Sequence, residues 1–468
     1  MARVPRSVVD VAHLVWGTAA SQVVLLASTV VCARWFFTDA ELGELSTAVA
    51  VATILATVAT LRLEMALPLA RTDREARDLV RVVLAGSAGV AAVVGLLVAG
   101  LELAGVHWWT AALGGAAWWV PAVVLATAAY QTLRMLQSRL GQFRHTSESG
   151  VTGAVVTGLG QVAAGVAGSG SGGLTAAYAL GRAVSDLQMA RRAGLRVAGR
   201  LRWWLVRRWR RFPVWVLLPA VLNALSVGAV APLVQAWYGK EVAGQFGLAQ
   251  RLLMAPAALL GQAVAGVFFA RFAAMVREGR STTSTVVTVA EALACVSLPV
   301  FVPFVVLGPD VFRLVVGDAW GTAGMVSALL SPWLLMSFVS SPLSGYATVE
   351  NRLPRMLVLS LIEAGLRVPA LAAGVWLGDV RWGIGLYGLA GLVITTYWSA
   401  WVLRLSGATR QVVVAVLGPS LVALALAGTL AGARSLLSWP AYVALAAVLV
   451  LAVAAVAVLR LRRLVIAA

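Results

Sequence analysis

Eight charged side chains stand within stretches of sequence that are otherwise apolar: Arg62, Glu64, Arg182, Asp186, Arg251, Glu291, Glu363 and Arg367. Lodging one charge in hydrocarbon costs about 2.5–3.5 kcal/mol on insertion scales, so each is a functional candidate by default. The basic members are all arginine. A guanidinium group is a rigid fork that clamps phosphate or carboxylate oxygens two at a time, so arginine suits an anionic ligand. If Arg182, Arg367, Arg62 and Arg251 share one cavity, they form a ladder for a moving anionic headgroup. The acidic members offer a different chemistry. A carboxylate drawn out of water holds its proton more tightly. Glu291, Glu64, Asp186 and Glu363 are therefore the candidates for coupling transport to a cation.

Spacing supplies the structural alternatives. Arg182/Asp186 and Glu363/Arg367 are each i,i+4, so each pair shares a helix face and can neutralise itself. Arg62 and Arg251 can snorkel to the nearer membrane surface. Arg62 and Glu64 are two residues apart, so on a helix they point to different faces and take different roles. Glu291 has no charged partner at i±4, which makes it the carboxylate most open to a change of charge state.

The elements that must position these groups are membrane helices. Hydrophobic residues make up 60% of the chain and charged residues 12%, too little charge to cover a soluble surface. The apolar residues fall in blocks of about 20, enough to span a ~30 Å hydrocarbon core. The expected spans are 11–34, 44–70, 79–101, 111–137, 148–168 and 172–190, then 213–237, 244–270, 283–307, 321–347, 356–378 and 383–404, then 411–432 and 438–459. The fold class is all-α, a polytopic membrane protein of about 14 helices. On this map Arg182 lies ~15 Å from one end of its span and Arg367 ~16 Å from the end of its own, both near the midplane.

Charge in the connectors alternates. One set is basic: Arg71, Arg74 and Arg77; Arg139 and Arg144; Arg271, Arg277 and Arg280; Arg352 and Arg355; Arg404 and Arg410; Arg460, Arg462 and Arg463. The other set is acidic or nearly neutral, as at Asp39/Glu41, Glu102, Lys240/Glu241, Asp310/Asp318 and Asp379/Arg381. The positive-inside rule puts the basic set, and with it both termini, in the cytoplasm. Most of the net charge of +18 is thus a topology signal, and no nucleic-acid partner is expected. The exception is the segment 191–212, where arginines alternate with Trp203, Trp204 and Trp209. It reads as a cytoplasmic linker that can also lie on an anionic leaflet.

The two halves repeat a pattern. Trp35-Phe-Phe-Thr-Asp-Ala-Glu-Leu-Gly43 and Trp237-Tyr-Gly-Lys-Glu-Val-Ala-Gly244 each join the first two spans of a half. The expected organisation is an N-lobe (1–190), the linker (191–212), a C-lobe (213–406) and an extra helix pair (407–468). Lobes in the same orientation imply a pseudo-twofold along the membrane normal, with a site between them.

At this point the chain resembles the polysaccharide flippase branch of the multidrug/oligosaccharidyl-lipid/polysaccharide exporter superfamily. The resemblance rests on Ala33–Gly43, on Leu61-Arg-Leu-Glu-Met-Ala-Leu-Pro68, and on Gly244–Pro256 running on to Gly261-Gln262 and Phe268-Phe-Ala-Arg271. It implies twelve core helices and an alternating-access carrier. The implied cargo is an oligosaccharide on a polyprenyl pyrophosphate, taken from the cytoplasmic to the outer leaflet of a bacterial cell membrane. The last helix pair goes beyond the core, as in the lipid II flippase branch. A monomer without cofactor is expected, and not an enzyme.

Rival readings are a cation-coupled drug exporter of the same fold and a membrane polysaccharide polymerase or glycosyltransferase. Basic intramembrane residues favour an anionic cargo, and no long loop carries acidic or histidine chemistry. His13, His107 and His145 are scattered, and Cys32 and Cys295 have no ligand spacing, so no metal site is expected. Gly383-Ile-Gly-Leu-Tyr-Gly388 fits a dinucleotide fingerprint but lacks a βαβ setting. The glycines of 150–168 read as close helix packing.

Overall fold

The computed structural model describes residues 6–195, 201–254, 275, 281–350 and 352–467. Among these residues every regular element is a helix, and eleven helices are long and apolar enough to cross a membrane. The chain forms two compact units, Met1–Leu248 and Ala249–Ala468. Several expectations fall outside the described residues: Arg196, Arg200, Pro256, Gly261, Gln262, the stretch 268–271, Arg277 and Arg280.

Unit 1 contains α1 (Arg6–Trp35), α2 (Asp39–Ala59), α3 (Asp73–Leu103), α4 (Val120–Arg139), α5 (Phe143–Val166) and α6 (Gly170–Arg192), then the shorter α7 (Leu217–Gly228) and α8 (Val230–Tyr238). Polar residues fix the helix starts. Thr38 Oγ1 accepts the Glu41 N–H while Glu41 Oε2 accepts the Thr38 N–H at 2.8 Å, a reciprocal cap that satisfies two free donors. Thr72 caps α3 in the simpler way, accepting the Glu75 N–H. Helix α5 packs tightly against α1 and α6. A Cβ on Gly158 would stand 3.0 Å from the Ser28 Cβ, and one on Gly153 would stand 2.8 Å from the Gly181 carbonyl oxygen. The glycine run is therefore a packing surface, as its composition suggested. Helix α6 has the length of a span, but its glycines and serines together with Arg182 and Asp186 keep it outside the apolar eleven.

The second expected span is interrupted. Helix α2 ends at Ala59, Leu61 and Arg62 take left-handed φ values of 52° and 56°, and a 3₁₀ turn then runs Leu63–Leu69. Pro68 accounts for part of this, because proline clashes with a carbonyl one α-turn back and has no N–H to donate. Two consecutive non-glycine residues in that conformation mark strain of the kind that persists at functional sites. The expected span 213–237 is likewise divided, into Arg211–Trp215, α7 and α8.

The linker folds onto unit 1. Leu205, Trp209 and Phe212 join the buried cluster of Leu63, Leu67, Leu79 and Val80, while Trp203 and Trp204 stay about half exposed. Arg202 reaches Asp78 at 3.4 Å and Arg208 reaches Glu75 at 3.3 Å, tying the segment to the start of α3.

Unit 2 contains α9 (Thr283–Val315), α10 (Gly321–Val349), α11 (Leu353–Trp376), α12 (Val380–Leu405), α13 (Arg410–Gly432) and α14 (Trp439–Ala467). Helix α9 packs against α10, α13 and α14, and α12 packs against α10 and α11. The last helix pair is thus docked on the unit through α9. Gly383 to Gly388 lie inside α12, and a Cβ on Gly388 would meet the Leu329 carbonyl oxygen at 2.7 Å. These glycines serve helix contact, not a phosphate loop.

Candidate functional site

Each unit holds a candidate arginine against two aromatic rings, half-buried at Arg182 and buried at Arg367. In unit 1 the Arg182 guanidinium carbon lies 4.4 Å from the centre of the Tyr130 ring on α4 and 5.5 Å from that of Tyr178, one turn back on α6. Arg182 Nη2 also donates to the Tyr178 hydroxyl at 3.3 Å. The i,i+4 spacing suggested that Arg182 would neutralise Asp186, but no ion pair joins them. The arginine turns to the tyrosines instead, and both Asp186 carboxylate oxygens are buried without a hydrogen-bond partner. Asp186 is 7% exposed. It sits in the wall of an apolar cleft of about 720 Å³ bounded by α3, α4 and α6, with Leu84, Leu125, Leu133 and Leu180 around it.

In unit 2 the second i,i+4 pair does close. Arg367 Nη1 donates to Glu363 Oε1 at 2.7 Å. The Arg367 guanidinium carbon lies 3.8 Å from the Trp333 ring centre on α10 and 3.9 Å from the Tyr387 ring centre on α12. Arg367 is 7% exposed, and its Nε and Nη2 are buried without a hydrogen-bond partner. Gly391 makes room for the box, since a Cβ there would meet the Trp333 ring at 2.6 Å. A desolvated cation over an aromatic face gains about 2 kcal/mol, which helps to hold each charge inside the membrane. The unfilled donors of Arg367 leave it able to take an anion.

The other candidates are placed differently. Arg62 and Glu64 were expected on different faces. Instead Arg62 Nη1 donates to Glu64 Oε1 at 3.2 Å, because the break after Ala59 removes the helical periodicity that would have separated them. Glu64 is buried, and its other oxygen has no partner. Arg251 lies half-buried on the helical stretch 240–254. Glu291, on α9, is half-buried and forms no ion pair among the described residues. Tyr130, Tyr178, Trp333 and Tyr387 were not anticipated. Only Tyr178 carried a signal, being four residues before Arg182 on one helix.

A second construction in unit 1 joins the two repeated segments. A Cβ on Gly43 would stand 2.0 Å from the Lys240 carbonyl oxygen, and one on Gly244 would stand 1.7 Å from the Asp39 carbonyl oxygen. These contacts are reciprocal, since Asp39 and Lys240 each precede their glycine by four residues. The neighbouring side chains repeat the relation. Lys240 Nζ donates to Glu44 Oε1 at 3.2 Å, and Gln245 Nε2 donates to Asp39 Oδ2 at 3.2 Å. Gly114, at φ +53°, lies directly beneath the Glu44 carboxylate. The start of α2 and the stretch 240–247 are thereby fastened at the end of the unit that carries the acidic connectors.

Comparisons with known proteins agree with this architecture. A family model described as polysaccharide biosynthesis protein matches residues 31–324. The lipopolysaccharide biosynthesis protein WzxC of Escherichia coli (strain K12) is 21% identical over 176 residues, which is 38% of this chain. The match spans 35% of the length of that relative. Among solved structures, the lipid II flippase MurJ in an inward closed conformation superposes with a TM-score of 0.74 at 11% identity, covering 97% of this chain and 99% of that one. An inward-facing multidrug resistance MATE family transporter of the MOP superfamily gives a TM-score of 0.57 at 14% identity, covering 85% of this chain and 94% of its own.

Proposed function

This chain belongs to the polysaccharide biosynthesis protein family, and from that premise we propose that it carries a polyprenyl-pyrophosphate-linked oligosaccharide from the cytoplasmic to the outer leaflet by alternating access. The observation that carries the reading is the pair of aromatic-braced arginines, half-buried Arg182 and buried Arg367 with its unfilled donors. A guanidinium group with open donors in a membrane interior suits a pyrophosphate and no neutral or cationic cargo. Arg62 and Arg251 are further candidates for contact with the anionic headgroup. Asp186 becomes the foremost coupling candidate, ahead of Glu291, Glu64 and Glu363, because it is the one buried with both oxygens unmet. The alternating connector charges support an orientation with both termini inside and the linker against the anionic inner leaflet, and the proposal takes the protein as a monomer in a bacterial cell membrane. In that orientation the Gly43/Gly244 fastening closes the outer end of unit 1.

The test is reconstitution into vesicles with a fluorescent polyprenyl-pyrophosphate saccharide, with leaflet exchange read by an impermeant quencher. Exchange that depends on the protein is expected. Absence of exchange, or sugar polymer in its place, would sink the reading. One observation favours the drug-exporter alternative, namely the unpartnered carboxylate of Asp186 in an apolar cleft. If that reading holds, vesicles will move ethidium against a proton gradient and leave the lipid-linked sugar where it is.

A further inference from the structure

Unit 2 holds a second cavity, away from the buried arginine box. It measures about 870 Å³, within the ~300–1,000 Å³ usual for ligand pockets. Its polar lining is Arg313, Asp318, Thr322, Asp379, Arg381 and Arg434. These come from the end of α9 and from the connectors α9–α10, α11–α12 and α13–α14. The first two connectors belong to the acidic or neutral set, so the cavity opens at the end opposite Arg352, Arg404 and Arg410. The extra helix pair supplies one wall through Arg434.

The site is built rather than incidental. Arg434 Nη2 donates to Asp310 Oδ1 at 2.8 Å, and its guanidinium carbon lies 5.4 Å from the ring centres of both Trp439 and Tyr442. Three contacts from α9 and α14 therefore fix one fork in the cavity wall. Asp379 accepts the Arg381 N–H at 2.8 Å and caps α12, which fixes a carboxylate beside it. Arg313, Asp318 and Arg381 make no ion pair and no side-chain hydrogen bond among the described residues.

Charge decides the ligand class. Arg434 is neutralised by Asp310, which stands outside the lining at 2.8 Å, and the guanidinium groups of Arg313 and Arg381 are matched by the carboxylates of Asp318 and Asp379, so the site together with Asp310 carries no net charge. A phosphate site would need surplus cation and a metal site surplus carboxylate. Balanced fixed donors and fixed acceptors suit a polyol, because each hydroxyl group both donates and accepts. Trp376, Trp382 and Trp439, at the same ends of α11, α12 and α14, are 93%, 58% and 54% exposed. Their flat apolar faces are surfaces on which the C–H faces of sugar rings can lie.

We infer that this cavity is a saccharide-binding site that receives the glycan head of the cargo as it leaves on the outer side. The inference rests on the flippase reading for its ligand and deepens it. The full chain in lipid nanodiscs is titrated with maltotriose, cellotriose and xylotriose as neutral probes and with inorganic phosphate as the anion probe, and binding is read by saturation-transfer NMR. Saturable saccharide binding is expected, weakened about tenfold by Arg381→Ala or Arg313→Ala, the loss of one charge-assisted hydrogen bond. Arg34→Ala serves as the surface control and should leave binding unchanged. Failure of all three saccharides to bind, preference for phosphate, or insensitivity to both cavity variants overturns the inference. Leaflet exchange is measured on the same protein. Intact exchange without saccharide binding sinks the cavity site alone, whereas loss of exchange in the unmodified chain sinks the transport reading.

Discussion

At the scale of single residues, the positions of the intramembrane charges were legible in the sequence, but their partners were not. Apolar surroundings identify Arg182 and Arg367 without a structure, and i,i+4 spacing correctly paired Arg367 with Glu363. The same rule misled at Arg182, because Tyr130 lies on another helix, and only tertiary packing brings its ring to 4.4 Å. Two substitutions test the role of the boxes. Arg182→Ala and Arg367→Ala should each reduce leaflet exchange far more than Arg34→Ala, and equal tolerance of all three would remove the arginines from the transport path. Trp333→Leu keeps the charge but removes one face of its support. With about 2 kcal/mol in the balance, the cargo concentration for half-maximal exchange should rise about tenfold or more. An unchanged value would make the tryptophan a packing residue only.

At the scale of elements, hydropathy located eleven of the fourteen expected spans among the described residues and read their interruptions poorly. Apolar runs have no register of their own, so 44–70 reads as one helix although the backbone turns left-handed at Leu61 and Arg62. The break could not be placed from Pro68 alone, since membrane helices often accommodate proline. The linker was legible as basic and aromatic, but not which tryptophan is buried. Trp209 packs into the core of unit 1, while Trp203 is 53% exposed. Trp209→Ala should therefore destabilise the protein by about 3–5 kcal/mol, the usual cost of emptying a large aromatic site. Trp203→Ala should leave thermal unfolding in detergent nearly unmoved, and similar shifts for both would show that the linker does not anchor through Trp209. The fastening of α2 makes its own prediction. Gly43→Leu puts carbon where the Lys240 carbonyl oxygen lies at 2.0 Å, so the two segments must separate. A cysteine at Ser46, in a chain with Cys32→Ala and Cys295→Ala, should then react faster with an impermeant maleimide. An unaltered labelling rate would mean that the contact does not close that end.

At the scale of the whole molecule, charge in the connectors makes a testable statement about orientation. Alkaline phosphatase fused after Gly105 or Gly378 should be active, and fused after Gly141 or Gly407 inactive, because the enzyme matures only outside the cytoplasm. The reverse pattern would invert the transport direction proposed above. The sequence also carries two similar short aromatic-acidic segments that end in Gly43 and Gly244. What the sequence could not reveal is that these segments touch each other. Their contact has the form of an isologous interface, in which position i meets j and j meets i. Such a surface is self-complementary, so an ancestral half-protein could have paired with a second copy of itself through it. Identical copies, however, would place the same residue at positions 39 and 240, and the same residue at 44 and 245. This chain has an acid at 39 and a base at 240, with Glu44 opposite Lys240 and Gln245 opposite Asp39. That complementarity is open only where the two segments are free to differ. Within one chain a contact of symmetric form is thus a latch whose two sides can be tuned separately.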